Sequence, residues 1–298
     1  MMPGRIRNGL MTSGLGLFGV YLGSLAVASA LPAMAAEPGP VKFAAHRAVY
    51  DVSLVRSAPG SGVADMSGRL VYELSGSACE GYTQTMRFVT QSSTSDGTEQ
   101  TNDMRSSSFE EASGRKLRFN STQLRDQQVA EVTQGQAGRR GADGGITIEL
   151  TKPETKALQL PATVYFPIQH SIAMLEAARA GKKLFVADVY DGSEKGDKVS
   201  ATNTVIGGES SAAADKLPAG IANVERLKTL KFWPIATSYF EKNKGFDKSD
   251  AVPNYEMAAH FYENGVSTKL LMDYGDFSLK GELTELEFLP EGECEAGK

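Results

Sequence analysis

Period-two alternation of apolar and polar side chains runs along most of this chain, and it leaves few architectures open. In HRAVYDVSLV, Ala48, Tyr50, Val52 and Leu54 fall on one side of an extended segment, with Arg47, Asp51 and Ser53 on the other. GRLVYEL repeats the pattern with Leu70, Tyr72 and Leu74 against Arg69 and Glu73. Met86 and Phe88, Leu117 and Phe119, and Ile146, Ile148 and Leu150 continue it. In the second half come Trp233, Ile235 and Tyr239; Tyr255, Met257 and Phe261; Leu270, Met272 and Tyr274; and Leu286 with Phe288. A strand shows successive side chains to opposite faces, so such runs mark antiparallel strands with one dry and one wet face. Clusters such as SAPGSG, TSDGTEQ, GRRGADGG and NGVS separate the runs and turn the chain.

The reading is an all-β fold built as a long antiparallel meander of more than about ten strands. A sheet that long accumulates twist and leaves edges exposed, so it is expected to curl into a spiral or barrel-like body. One segment departs from the rhythm. FPIQHSIAMLEAARAGK sets Pro167 where a first-turn proline is tolerated and Gly181 where a helix stops, with Ile168, Ile172 and Leu175 on one stripe. It predicts one main α-helix packed on or in the sheet.

The N-terminal stretch has a different purpose. Arg5 and Arg7 precede a long uncharged, largely apolar run that ends in Ala33-Met34-Ala35, the pattern of an export signal cleaved after Ala35. Its glycines, serines and alanine-rich exit favour removal over an uncleaved membrane anchor. Gly14, Gly16 and Gly19 match G-x-G-x-x-G within this run. A dinucleotide site needs a strand before them, a helix opening at them and an acidic residue beyond, so the match is a coincidence. The organisation expected is a signal peptide over 1–35 and one β-rich domain over 36–298, free of the membrane once the signal is removed. Losing Arg5 and Arg7 changes the formal charge from −5 to −7, by subtracting +2. An acidic surface with scattered Lys and Arg argues against nucleic acid as a partner.

The chain has two cysteines, Cys79 and Cys294. In an oxidising compartment one intramolecular disulfide between them is the default. Cys79 follows an early strand and Cys294 lies just beyond the last, so a bridge would clasp the two ends of a curled sheet.

No catalytic constellation stands out. The mature sequence lacks H-E-x-x-H, a G-x-S-x-G elbow and a Walker loop. The three histidines, His46, His170 and His260, sit on three separate elements and read as structural. Glu282, Glu285, Glu287, Glu291, Glu293 and Glu295 read as a solvated strand edge and tail that discourage unwanted pairing. No catalytic residue, metal ligand or cofactor is assigned. The aromatics Tyr50, Tyr72, Phe88, Phe119, Trp233, Tyr239 and Phe261 read as core. In a partly closed sheet the same faces would line an apolar trough able to hold an acyl chain.

AHRAVYDVSL after an export signal, GRLVYEL, LPATVYFPIQHSIAMLEAARAGKKLF and the terminal FLPEGEC together resemble the EipB family, periplasmic proteins of Gram-negative bacteria long catalogued as a domain of unknown function. The resemblance spans about His46 to Cys294. It implies a curled, spiral-like antiparallel sheet, a disulfide that maps onto Cys79 and Cys294, and a role in cell-envelope integrity. A link to a periplasmic tetratricopeptide-repeat protein is implied as well. The functional expectation is therefore a non-enzymatic periplasmic protein that binds a protein partner or an envelope component. The rival readings are a lipid or lipoprotein carrier using the apolar trough, and a hydrolase whose histidines and carboxylates converge on folding.

Overall fold

A computed structural model describes residues 39–140, 144–211, 216–242 and 252–292. The export signal and its cleavage site lie outside the described residues, as does Cys294. The first half of the body is a chain of hairpins: β1 (His46–Ser57), β2 (Asp65–Ser77), β3 (Gly81–Ser93), β4 (Glu99–Glu111), β5 (Lys116–Arg125), β6 (Gln128–Arg139), β7 (Ile146–Lys152) and β8 (Lys156–Leu160). The single α-helix among the described residues, α1 (Pro167–Arg179), follows. The second half contains β9 (Leu184–Val189), β10 (Ser200–Ile206), the short β11 (Ser210–Ser211), β12 (Lys231–Glu241), β13 (Tyr255–Tyr262), β14 (Ser267–Asp273) and β15 (Phe277–Phe288).

All fifteen strands belong to one antiparallel sheet, ordered β8-β7-β6-β5-β4-β3-β2-β1-β15-β14-β13-β12-β10-β9, with β11 pairing to β12. The two halves meet where β1 pairs with β15, His46 opposite Phe288 and Ser57 opposite Phe277. The sheet is not closed. The chain leaving β8 makes one parallel bridge to the far edge, between Tyr165 and Val189. There the Tyr165 N–H donates to Asp188 O and the Tyr190 N–H to Tyr165 O. The expected spiral or barrel-like sheet is thus the one observed.

Alternation produces the core directly. Ala48, Tyr50 and Val52 from β1 and Leu70 and Leu74 from β2 join Trp233, Ile235, Leu270, Leu279 and Leu283 from the other half in one buried cluster. Each valine, leucine or isoleucine among them contributes roughly 1.5–3 kcal/mol through burial. The helix lies inside this cluster: Ile168, Met174, Leu175, Ala177 and Ala178 are buried in it. It ends at Arg179, and Gly181 takes the left-handed conformation just beyond (φ 74°), as the glycine stop predicts. A second cluster joins the far end of the sheet, Leu117, Phe119, Ile146, Ile148 and Leu150, to Phe166, Tyr190 and Val199.

Two local expectations change. Tyr274 leaves β14 for the following turn and stacks between Tyr255 and Phe277, at 5.8 and 5.0 Å between ring centroids. The alternation of Tyr255, Met257 and Phe261 would also leave Tyr262 on the opposite, wet face. A register shift between Ala258 and His260 interrupts the pleat, and Tyr262 is fully buried.

Candidate functional surfaces

The most unusual polar group of the interior is Glu110, at the end of β4. Phe166, which precedes α1, offers no side-chain cap, so the first N–H groups of the helix need an acceptor from elsewhere. Glu110 supplies it: Oε2 accepts from the Ile168 N–H at 2.7 Å and Oε1 from the Gln169 N–H at 3.0 Å. Arg139, at the end of β6, fastens the same entry. Its guanidinium donates to Gly114 O, Ala162 O and Val164 O at 3.1, 2.8 and 2.6 Å. It also lies 5.2 Å from the ring centroid of Phe166. Burial pushes the Glu110 carboxyl up to about 7, against the two helix N–H groups and the Arg139 charge, which favour the carboxylate. This constellation holds α1 in place, and Arg139 also borders a groove on the wet face.

On the wet face of the same strands a groove of about 430 Å³ carries Arg115, Lys116, Arg118 and Arg140. Glu111 bonds Lys116 at 3.3 Å and Glu149 bonds Arg140 at 2.8 Å, while Gln136 also donates to Glu149 at 2.7 Å. An adjoining hollow of about 560 Å³ shares Arg118, Gln136 and Glu149. Cations outnumber carboxylates along this groove, in a chain whose net charge is negative. Chemically it suits polar or anionic groups.

The three histidines are separate. His46 is buried at the start of β1, with Nδ1 2.8 Å from Ala44 O and its ring against Tyr72; burial lowers its pKa. His170 is buried in the first turns of α1, Nε2 bonded to Thr202 Oγ1 at 2.9 Å, and burial holds its pKa near 4. His260 stacks on Phe232 at 4.6 Å. Each has its own aromatic or hydroxyl neighbours, and among the described residues no three His, Cys, Asp or Glu side chains gather as a metal site.

Cys79 lies in the turn between β2 and β3, within SGSACEG. The chain leaving β15 returns to that turn: a Cβ placed on Gly292 would sit 2.7 Å from Glu80 Oε2 and 3.4 Å from Ser77 Oγ. Of the aromatic set, Tyr50, Phe119 and Trp233 are buried, and Tyr72, Phe88 and Phe261 are partly buried against the main cluster. Tyr239 stacks on Tyr255 at 4.4 Å. Glu282, Glu285 and Glu287 are exposed along β15. Reading from sequence overlooked Glu110 and the groove, because neither has a local signature. Glu110 acts on a helix through space, and the groove forms only when β5, β6 and β7 align. Among the described residues no helix is long and apolar enough to cross a membrane.

Comparison with known proteins places this architecture. The chain is 33% identical over 257 residues to the cell envelope integrity protein EipB of Brucella abortus, covering 86% of this chain and 88% of that protein. The crystal structure of a β-barrel-like protein of domain of unknown function DUF1849 from Brucella abortus superposes with a TM-score of 0.74 at 33% identity, covering 84% of this chain and 100% of that one. The family description EipB-like matches residues 37–290. With the matched region running from just ahead of β1 to just past β15, the chain belongs to the EipB-like family.

Proposed function

We propose that this chain is an exported periplasmic protein that maintains the integrity of a Gram-negative cell envelope, without catalysis, by binding a protein partner or an envelope component. The observation that carries the envelope role is the likeness to the Brucella cell envelope integrity protein, which extends over almost the whole of both chains. Binding is supported by the distribution of polar chemistry. Glu110, His46 and His170 are buried in structural roles, whereas the groove beside Arg118 is open to solvent. The tetratricopeptide-repeat protein implied by the family resemblance is the first partner to test.

A deletion strain challenged with a membrane-active detergent tests this reading. Restoration by the wild-type chain and by His46→Gln, His170→Gln and His260→Gln variants that remain folded is the expected result. Loss of restoration in a folded histidine variant would favour the hydrolase reading.

The lipid-carrier reading has one observation in its favour. Tyr72, Met86, Phe88, Met257 and Phe277 pack on the main cluster yet keep accessible surface. Against it, α1 fills the same interior. Native mass spectrometry of protein taken gently from a periplasm decides: bound acyl chains support a carrier, a clean apo mass supports partner binding.

A further inference from the structure

The outward face of the second half carries an apolar row that the core does not use. Leu184 stands opposite Val205, Val205 opposite Ala236, Ala236 opposite Ala258, and Ala258 opposite Leu271. The row crosses β9, β10, β12, β13 and β14 and spans roughly 20 Å at the usual strand spacing. Leu184, Val205 and Leu271 are 54%, 59% and 40% exposed, and Val186, next along β9, is 62% exposed. The neighbouring row starts at Val186 and is polar from there on, Asn203, Ser238 and Glu256, so the stripe has a defined border beyond β9. A contiguous outward apolar row of this kind marks a contact surface.

The row begins at β9, whose outer edge at Leu184 and Val186 pairs with no described strand, and the backbone there faces outward. The Ile206 N–H donates to Lys183 O, which fixes the alternation: Lys183, Phe185 and Ala187 turn their backbone groups toward β10. Leu184, Val186 and Asp188 therefore turn theirs away. The bonds at the far end agree, because Asp188 O and the Tyr190 N–H are the groups that meet Tyr165. Tyr165 thus occupies the edge from Asp188 onward, and β9 is the last strand of the sheet. Leu184 and Val186 combine exposed apolar side chains with edge-facing N–H and C=O groups. Just before them, Lys182 and Lys183 are exposed, and no described residue forms an ion pair with either.

Resting on the partner-binding reading above, we propose that the β9 edge receives an extended segment of a partner protein by antiparallel strand addition. Its backbone pairs with Leu184 and Val186, and alternate apolar side chains prolong the outward row. Acidic residues at its C-terminal end meet Lys182 and Lys183. Strand addition draws affinity from the backbone and specificity from alternate side chains and flanking charge. A second copy of this chain is disfavoured in the register that pairs Leu184 with Val186, because Lys182 of one copy would then meet the edge at Asp188, whose carbonyl already accepts from Tyr165.

The test uses the acetylated peptide TVTVTDD as probe and the mature protein labelled with ¹⁵N. In the free protein the Leu184 and Val186 amides should exchange quickly, and Phe185 and Ala187 slowly. Saturating peptide should protect Leu184 and Val186 and shift signals along the row. Val186→Pro removes an edge-facing N–H together with the valine side chain and spares the pairing with β10, as proline at edges is tolerated. It should weaken binding by more than about tenfold, as should replacing the peptide's two Asp by Lys. Protection of both amides in the free monomer would overturn the proposal, as would binding indifferent to Val186→Pro, or a concentration-dependent dimer that Val186→Pro abolishes. In the deletion strain the readings separate. Full restoration by a non-binding Val186→Pro chain sinks the edge proposal alone, whereas failure of the wild-type chain to restore tolerance sinks the envelope role itself.

Discussion

The carboxylate of Glu110 lies 2.7 Å from the backbone N–H of Ile168, across a separation of 58 residues, so a strand supplies the cap that the helix sequence lacks. The consequence for stability depends on pH. Burial raises the folded-state pKa of Glu110 from 4.5 to about 7, so the folded protein binds the proton more tightly than the unfolded chain does. Such a group contributes most below pH 4.5, and its contribution declines as pH rises through 7, by up to about 3 kcal/mol.

Glu110→Gln, a neutral isostere, should therefore track the wild type to within about 1 kcal/mol at pH 5 and exceed it at pH 8. Denaturant melts of both proteins at the two values check this. A variant that loses ground as pH rises would show that the helix N–H groups and Arg139 keep Glu110 charged.

A tighter constraint lies in the second cluster. Gly192 adopts φ 75°, and a Cβ there would sit 2.3 Å from the ring of Phe119. Phe119 cannot yield, because it is buried and packed edge-on against Tyr190 at 5.7 Å. Gly192→Ala should cost roughly 2–4 kcal/mol, from strain and overpacking together. Gly60→Ala is the control: its φ is 86°, yet nothing lies within 4 Å, so the loss should be about 1 kcal/mol. Equal losses at the two sites would rule out the Phe119 clash as the cause.

Alternation located the strands whose inner faces carry large apolar residues, β1, β2, β7, β12 and β14 among them, because burial on one face imposes a period. It passed over β4, EQTNDMRSSSFEE, where only Met104 and Phe109 are apolar. That strand persists because both neighbours pair with it along their length, from Gly81 opposite Glu111 to Asn102 opposite Arg125. The helix was legible from Pro167 and Gly181, which act locally. Glu110, the groove beside Arg118 and the row ending at Leu184 were not. Each depends on which residues of neighbouring strands stand side by side, or on a strand meeting a helix 58 residues away, and neither leaves a period in any one segment.

Asp103, in the same unremarked strand, makes a further prediction. It accepts from Arg105 and Arg87, which hold its carboxyl down at about 2 from the usual 3.8. A depressed folded pKa stabilises above pH 3.8 and ceases to do so as pH falls from there toward 2. Both guanidinium groups are half exposed, so solvent screening limits the effect to about 1 kcal/mol. Asp103→Asn should lower the melting temperature at pH 6, the gap to the wild type should shrink as pH falls from 3.8 toward 2, and added salt should narrow the gap at pH 6. A gap unchanged by acid would mean the charge of Asp103 is not what stabilises.

The remaining prediction concerns Cys79. We propose that it forms a disulfide with Cys294, supported by the way Gly292 brings the chain after β15 against Ser77 and Glu80, on either side of Cys79. Such a bridge spans 294 minus 79, or 215, residues. The sheet's order makes its position consequential. β1 pairs with both β2 and β15, so a clasp from the β2–β3 turn to the tail reinforces the strand junction between the two halves. Chain-entropy arguments allow up to about 5 kcal/mol for so long a loop, and native bridges often supply less. Cys79→Ser and Cys294→Ser should lower the melting temperature by similar amounts, with the double variant no worse than either and reductant without effect on any of the three. Fully additive losses would show that the two thiols act separately.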